Sequence, residues 1–120
     1  MSDHLFLGVL GEDLSCEYLV RHNYEIRERN VRFKHDEIDI IAYDQVEKMI
    51  VFVEVKTRTR SSVAYPIETA VGNVKRHRLR RAISHWVALH DYDGPGRIDI
   101  ICVAKDRVEK HLKDIGSDFF

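Results

Sequence analysis

Cysteine, proline and long apolar runs are all scarce in this 120-residue chain, and each scarcity excludes something. The two cysteines, Cys16 and Cys102, lie far apart and form no CxxC pair, so neither a disulfide framework nor a thiolate metal site is expected. Both sit in apolar stretches and read as buried free thiols. Seven histidines show no HxH, HExxH or His–Cys spacing, which leaves a zinc site without support. With two prolines and no Ser- or Gly-rich linker, nothing divides the chain. It reads as a single domain over 1–120, with a core of about 5–104 and a tail of 105–120. No apolar run approaches the ~18 residues of a membrane span, and no apolar segment follows a basic start. A cytoplasmic protein with no membrane partner is the expectation.

A strong charge of one sign is also missing. Nineteen Lys and Arg against twenty Asp and Glu leave a formal charge of −1, too weak for a histone-like or membrane-surface protein. The balance is uneven along the chain. Between Lys56 and Arg81 stand eight basic residues and one acid, Glu68, for a local +7; the remainder carries −8.

What is present has clear order. Leu5 to His22 reads as a helix, with Leu5, Val9, Cys16, Leu19 and Val20 as its apolar stripe and Asn23 as its stop. Tyr24 to Phe33 reads as an outer strand. Glu37–Tyr43 and Met49–Thr57, rich in Ile, Val and Phe, form an antiparallel hairpin. Pro66 and Glu68 open a long helix to about Leu89, and Arg97–Ala104 is a last buried strand before a short polar helix or tail. The order αβββαβ implies an α/β fold with a central mixed sheet flanked by helices, its last strand joining the third in parallel by a right-handed crossover.

Several charged residues stand where this pattern expects apolar ones. Asp39 interrupts Ile38-Asp39-Ile40-Ile41, and Glu54 and Lys56 share one face of an otherwise apolar strand, as Glu37 and Asp39 do of the neighbouring one. A turn that pairs Asp44 with Met49 makes Asp39 and Glu54 direct cross-strand neighbours. Two facing carboxylates repel unless a cation lies between them, and a hard ion, Mg²⁺ or Mn²⁺, is the natural partner for oxygen ligands. Glu12 falls on the stripe of the first helix, near Gly8 and Gly11, which signal close backbone packing. Lys75 replaces an apolar residue on the sheet-facing side of the second helix. The run Lys75-Arg76-His77-Arg78-Leu79-Arg80-Arg81 has no acids at i±4 to neutralise it, which favours a phosphate-facing surface.

Asp39-x14-Glu54-Val55-Lys56 resembles the motif of the PD-(D/E)xK nucleases, the restriction-endonuclease-like superfamily. Together with Gly11-Glu12, Tyr24, Arg29-Asn30, Glu37-Ile38-Asp39, Lys75 and Arg97-Ile98-Asp99, it resembles the YraN-like family of small bacterial proteins, related in fold to archaeal Holliday-junction resolvases. The resemblance spans about residues 8–104. It implies a restriction-endonuclease-like fold, with Asp39, Glu54, Glu12 and the Val55 carbonyl holding Mg²⁺ or Mn²⁺. Lys56 would be the catalytic lysine and Lys75 an auxiliary cation. Arg58, Arg60, Arg76, Arg78, Arg80 and Arg81 would bind nucleic acid. The implied activity is metal-dependent endonucleolytic hydrolysis of duplex or branched DNA. The alternative is a non-catalytic nucleic-acid-binding module of the same fold. A homodimer follows by analogy with resolvases alone. One departure stands out: Asp36 replaces the glycine usual before Glu-Ile-Asp, where Asp tolerates a left-handed turn but adds a carboxylate able to alter metal affinity or repel phosphate.

Overall fold

Asn23, the expected helix stop, takes a left-handed φ of 69° and turns the chain from α1 (Asp3–Arg21) into β1 (Tyr24–Phe33). The computed structural model describes residues 3–58 and 73–115. After β1 come β2 (Asp36–Asp44), β3 (Met49–Arg58), α2 (Asn73–Leu89), β4 (Gly96–Ala104) and β5 (Arg107–Leu112). The five strands form one mixed sheet in the order β1-β2-β3-β4-β5. All pairs are antiparallel except β3 with β4, the parallel pair expected from the crossover. The proposed beginning of the second helix at Pro66 and Glu68 lies outside the described residues.

The register of the central hairpin follows from its turn. Oδ1 of Asp44 accepts the backbone N–H groups of Val46 and Glu47, and Lys48 takes a φ of 57°. Asp44 therefore faces Met49, and the ladder runs in step to Ile40 opposite Val53. β3 is the middle strand and is covered on both faces, which is why it reads as an almost unbroken apolar run. Ile50 and Phe52 pack with Leu79, Ile83 and Trp86 of α2; Val51 and Val53 pack with Leu19 of α1 and with Tyr24. The sheet thus lies between the two helices.

Three details differ from expectation. The buried face of α1 is Gly11-Ser15-Leu19 rather than the stripe through Val9 and Val20, which are exposed. Closest approach selects the smallest residues over the most apolar ones: a Cβ at Gly11 would overlap Oγ1 of Thr57 on β3. Buried Ser15 spends its hydroxyl on the Gly11 carbonyl, at 2.8 Å. In the β1–β2 turn the left-handed residue is Lys34 (φ 58°), while Asp36 already belongs to β2. The segment after Ala104, expected as a polar helix or tail, contains strand β5. A two-residue turn with Lys105 at φ 59° folds it back on β4.

Arg97 and Asp99 on β4 are buried and explain each other. Arg97 reaches Asp99 at 2.9 and 3.1 Å, Asp44 at 2.8 Å and the Tyr24 hydroxyl at 2.6 Å. Asp99 also meets His111 Nε2 at 2.7 Å and accepts the backbone N–H of Asp114 at 3.0 Å. His111 Nδ1 lies 3.0 Å from the Tyr18 hydroxyl. The Arg97 guanidinium thus ties β1, the β2–β3 turn and β4 together, and Asp99 extends the network through His111 to β5 and Tyr18 of α1. Burial alone would raise the pKa of Asp99, but the bonds from His111, Arg97 and Asp114 outweigh it and hold the group below its ordinary value.

Both outer strands are irregular. β1 carries a bulge between Ile26 and Glu28, and β5 gives Cys102 and Val103 the partners Lys110 and Val108, with Glu109 as the extra residue.

Candidate functional site

The side-chain alternation of β2 breaks at Asp39. Ile38 and Ile41 join the α2-side core, while Ile40 and Ala42 join the α1-side core. The β2–β3 ladder ends at Ile40 and Val53, and one step further the backbone N–H of Val55 donates to Oδ2 of Asp39 at 2.8 Å. A carboxylate therefore takes the place of a main-chain acceptor where the strands begin to part. Asp39 and Glu54 are neighbours across this fork, but not the ladder pair the register implies.

Convergence comes from α1 and from the start of β2. Carboxylate oxygens of Glu12, Glu37 and Asp39 all lie within 4.8 Å of one another. The Gly11–Thr57 contact sets α1 close enough to β3 for Glu12 to enter this group. Burial is the largest cause of the raised pKa of Asp39; the Glu54 charge, and behind it Glu12, push the same way against the Val55 hydrogen bond. Glu12 is raised too, by burial first, while a hydrogen bond from Asn30 and the charge of Arg29 oppose the shift. Crowded, half-desolvated carboxylates of this kind repel one another as anions, although Arg29 lies 3.8 Å from Glu12 and Arg32 lies 3.5 Å from Glu37. Their donors are all oxygens, which suits a hard divalent cation better than a softer one.

The other expected residues are distributed as follows. Glu54 is buried on β3 and Lys56 half-buried two positions on, so both follow Asp39 at the fork. Arg58 is half-buried at the end of β3, where its charge reaches Cys102. Arg78, Arg80 and Arg81 are exposed on α2. Arg81 is brought to Asp36 of β2, at 3.0 Å, so this part of the basic run is compensated across the fold instead of along the helix. Lys75 and Arg76 belong to the first turn of α2, but their side chains lie outside the described part, as does Arg60 altogether. Among the described residues, no helix is long and apolar enough to cross a membrane.

Glu37, which the sequence places on the face of Asp39, joins the cluster as a third carboxylate, and two further participants carry no role in the sequence reading. Arg29 pairs with Asp13 at 2.7 Å and approaches Glu12 at 3.8 Å. Asn30, bonded to Glu12, takes a φ of 53°, a backbone state to which asparagine is suited.

Fold and site together define an α/β domain with a mixed five-stranded sheet and an acidic cluster at the fork of its central hairpin. Residues 11–103 match the family model described as "Uncharacterised protein family UPF0102", and the chain belongs to that family. It is 40% identical over 120 residues to a UPF0102 protein of Flavobacterium psychrophilum, covering all of this chain and 98% of the relative. A UPF0102 protein of Bacteroides fragilis is 43% identical over 118 residues, 95% of this chain and 94% of its own length. One of Geobacter metallireducens is 44% identical over 98 residues, 81% and 78% of the two chains.

Proposed function

We propose that this protein is a Mg²⁺- or Mn²⁺-dependent endonuclease of the restriction-endonuclease-like kind, acting on duplex or branched DNA in the cytoplasm. The observation that carries the reading is Asp39 fixed by the Val55 N–H at the strand fork, beside Glu54 and within 4.8 Å of the Glu12 and Glu37 oxygens. Asp39, Glu54, the Val55 carbonyl and Glu12 would hold the cation, with Glu37 added to that set. A bound divalent ion supplies Lewis acidity, lowering the pKa of a water and offsetting charge on the departing 3′ oxygen. Lys56, following Glu54 on the same strand, neutralises the scissile phosphate and orients the attacking water. Lys75 adds positive charge from α2. Arg58, Arg60, Arg76, Arg78, Arg80 and Arg81 grip the backbone without reading bases, which suits duplex or branched substrates.

The test offers the purified protein labelled linear, flapped and four-way DNA with Mg²⁺, Mn²⁺ or EDTA. Metal-dependent cleavage that is lost in Glu54→Ala and Lys56→Ala is the expected result. Salt-sensitive binding that persists in EDTA, with no substrate cut, would sink the enzymatic reading and leave a nucleic-acid-binding module. Absence of binding at low salt would remove both.

A further inference from the structure

Asp36 opens β2 with its carboxylate turned towards α2. Arg81 donates from Nε to Oδ2 at 3.1 Å and from Nη2 to Oδ1 at 3.0 Å. This paired fork is the geometry with which a guanidinium holds a phosphate. The surroundings favour an anion as well. The Arg81 hydrogen bonds are the largest cause of the lowered pKa of Asp36; burial opposes them, and the charges of Arg81, His85 and Arg78 add to the lowering. His85 stacks on Phe33 with ring centroids 5.2 Å apart, so the β1–β2 turn, with exposed Lys34 and His35, meets this cationic side of α2. The two partners differ in access: the Arg81 side chain is 59% exposed and that of Asp36 only 10%. The guanidinium can be reached from solvent, whereas its carboxylate is anchored on a strand.

We propose that Asp36 is an internal competitor for phosphate: it holds Arg81 in the fork a nucleic-acid phosphate would use and subtracts one contact from the cationic face. Asp36 thereby sets how tightly this face grips a polyanion and how steeply that grip depends on salt. The inference rests on the nucleic-acid-binding part of the reading above. It revises that reading at one point, because Arg81 then leaves the set of phosphate ligands.

Counterion release makes the idea measurable, since each phosphate contact contributes about 0.9 to the slope of log K against log salt on duplex DNA. Anisotropy titrations of a labelled duplex in EDTA, over a range of salt, compare wild type with Asp36→Asn, Arg81→Ala and the double variant. Asp36→Asn keeps size and an acceptor but removes the charge. It is expected to steepen the slope by about 0.9 and tighten binding about five- to tenfold near 0.1 M salt. Arg81→Ala alone should leave the slope unchanged, and the double variant should lose the gain of Asp36→Asn. Thermal midpoints verify that each variant is folded, and Asp36→Ser replaces Asp36→Asn if the latter is not. Equal slopes in all four proteins overturn the inference and leave DNA binding intact. A slope that falls by about 0.9 in Arg81→Ala overturns it too, because Arg81 would then already touch phosphate. A gain that survives Arg81→Ala does the same, since it would not act through Arg81. No binding by wild type and Asp36→Asn alike removes the nucleic-acid reading itself and this inference with it.

Discussion

The backbone N–H of Val55 donates to Oδ2 of Asp39 one step beyond the last ladder pair of β2 and β3. The bond steadies the carboxylate, while burial and the neighbouring Glu54 make its ionised form costly. The carboxylate proposed above to receive a cation is thus a weakness when nothing neutralises it.

The pKa of Asp39 is pushed up to about 8, above its unfolded value, so the folded state holds this proton more tightly. Its contribution to stability is complete below about pH 4 and is lost as pH rises through the folded pKa. In EDTA the thermal midpoint should decline from about pH 5 to pH 8, and Asp39→Asn should flatten the decline, raising the midpoint at pH 8 by about 4 °C or more, roughly 1 kcal/mol. Mg²⁺ should raise the midpoint of wild type and not of the variant. Calorimetry across pH checks this; a wild-type profile parallel to that of Asp39→Asn would refute it.

Gly11 admits no side chain against Thr57. Alanine is the better helix former by about 1 kcal/mol, yet Gly11→Ala should destabilise the protein by about 1–3 kcal/mol because the overlap outweighs propensity. Thr57→Ala removes the obstructing oxygen, so in that background the same substitution should cost little. Denaturant titrations of the four proteins give the coupling, and additive effects would count against the contact.

Asp99→Asn leaves Arg97 buried with an incomplete set of carboxylates and should cost about 3–5 kcal/mol. The pKa values of Asp99 and Asp44 are both lowered, so their stabilisation is present above the unfolded pKa and is lost as pH falls through the folded values. Wild type should therefore resist acid to a lower pH than Asp99→Asn, as followed by circular dichroism. Matching acid midpoints would contradict this role.

Much of the fold was legible because its signals were local. The length of the Asp44–Met49 turn set the hairpin register, and one helix between two apolar strands implied their parallel pairing. The candidate site was legible as residue types: Asp39, Glu54 and Lys56 interrupt otherwise apolar runs. Its geometry was less so. Strict alternation from the turn paired Asp39 with Glu54, but β2 changes faces at Asp39 and brings Glu37 and Glu12 together with it. The orientation of α1 was legible only in part: Gly11 signalled close packing, but the apolar stripe pointed through Val9 and Val20, which are exposed, and Ser15 carried no signal. β5 escaped notice because an edge strand of half-exposed, largely polar residues carries no apolar run. The partner of Arg81 lay on another element, beyond any i±4 rule.

The bulges in β1 and β5 bear on the behaviour of the protein at high concentration. A sheet with two open sides offers two rows of main-chain groups to the strands of other molecules. Here Arg27 lies at one irregularity and Glu109 at the other, and β1 further exposes Glu25, Arg29 and Arg32. A foreign strand would meet a broken hydrogen-bond rhythm and a fixed charge on either side, so the same margins that terminate the sheet also guard it against growing into an aggregate.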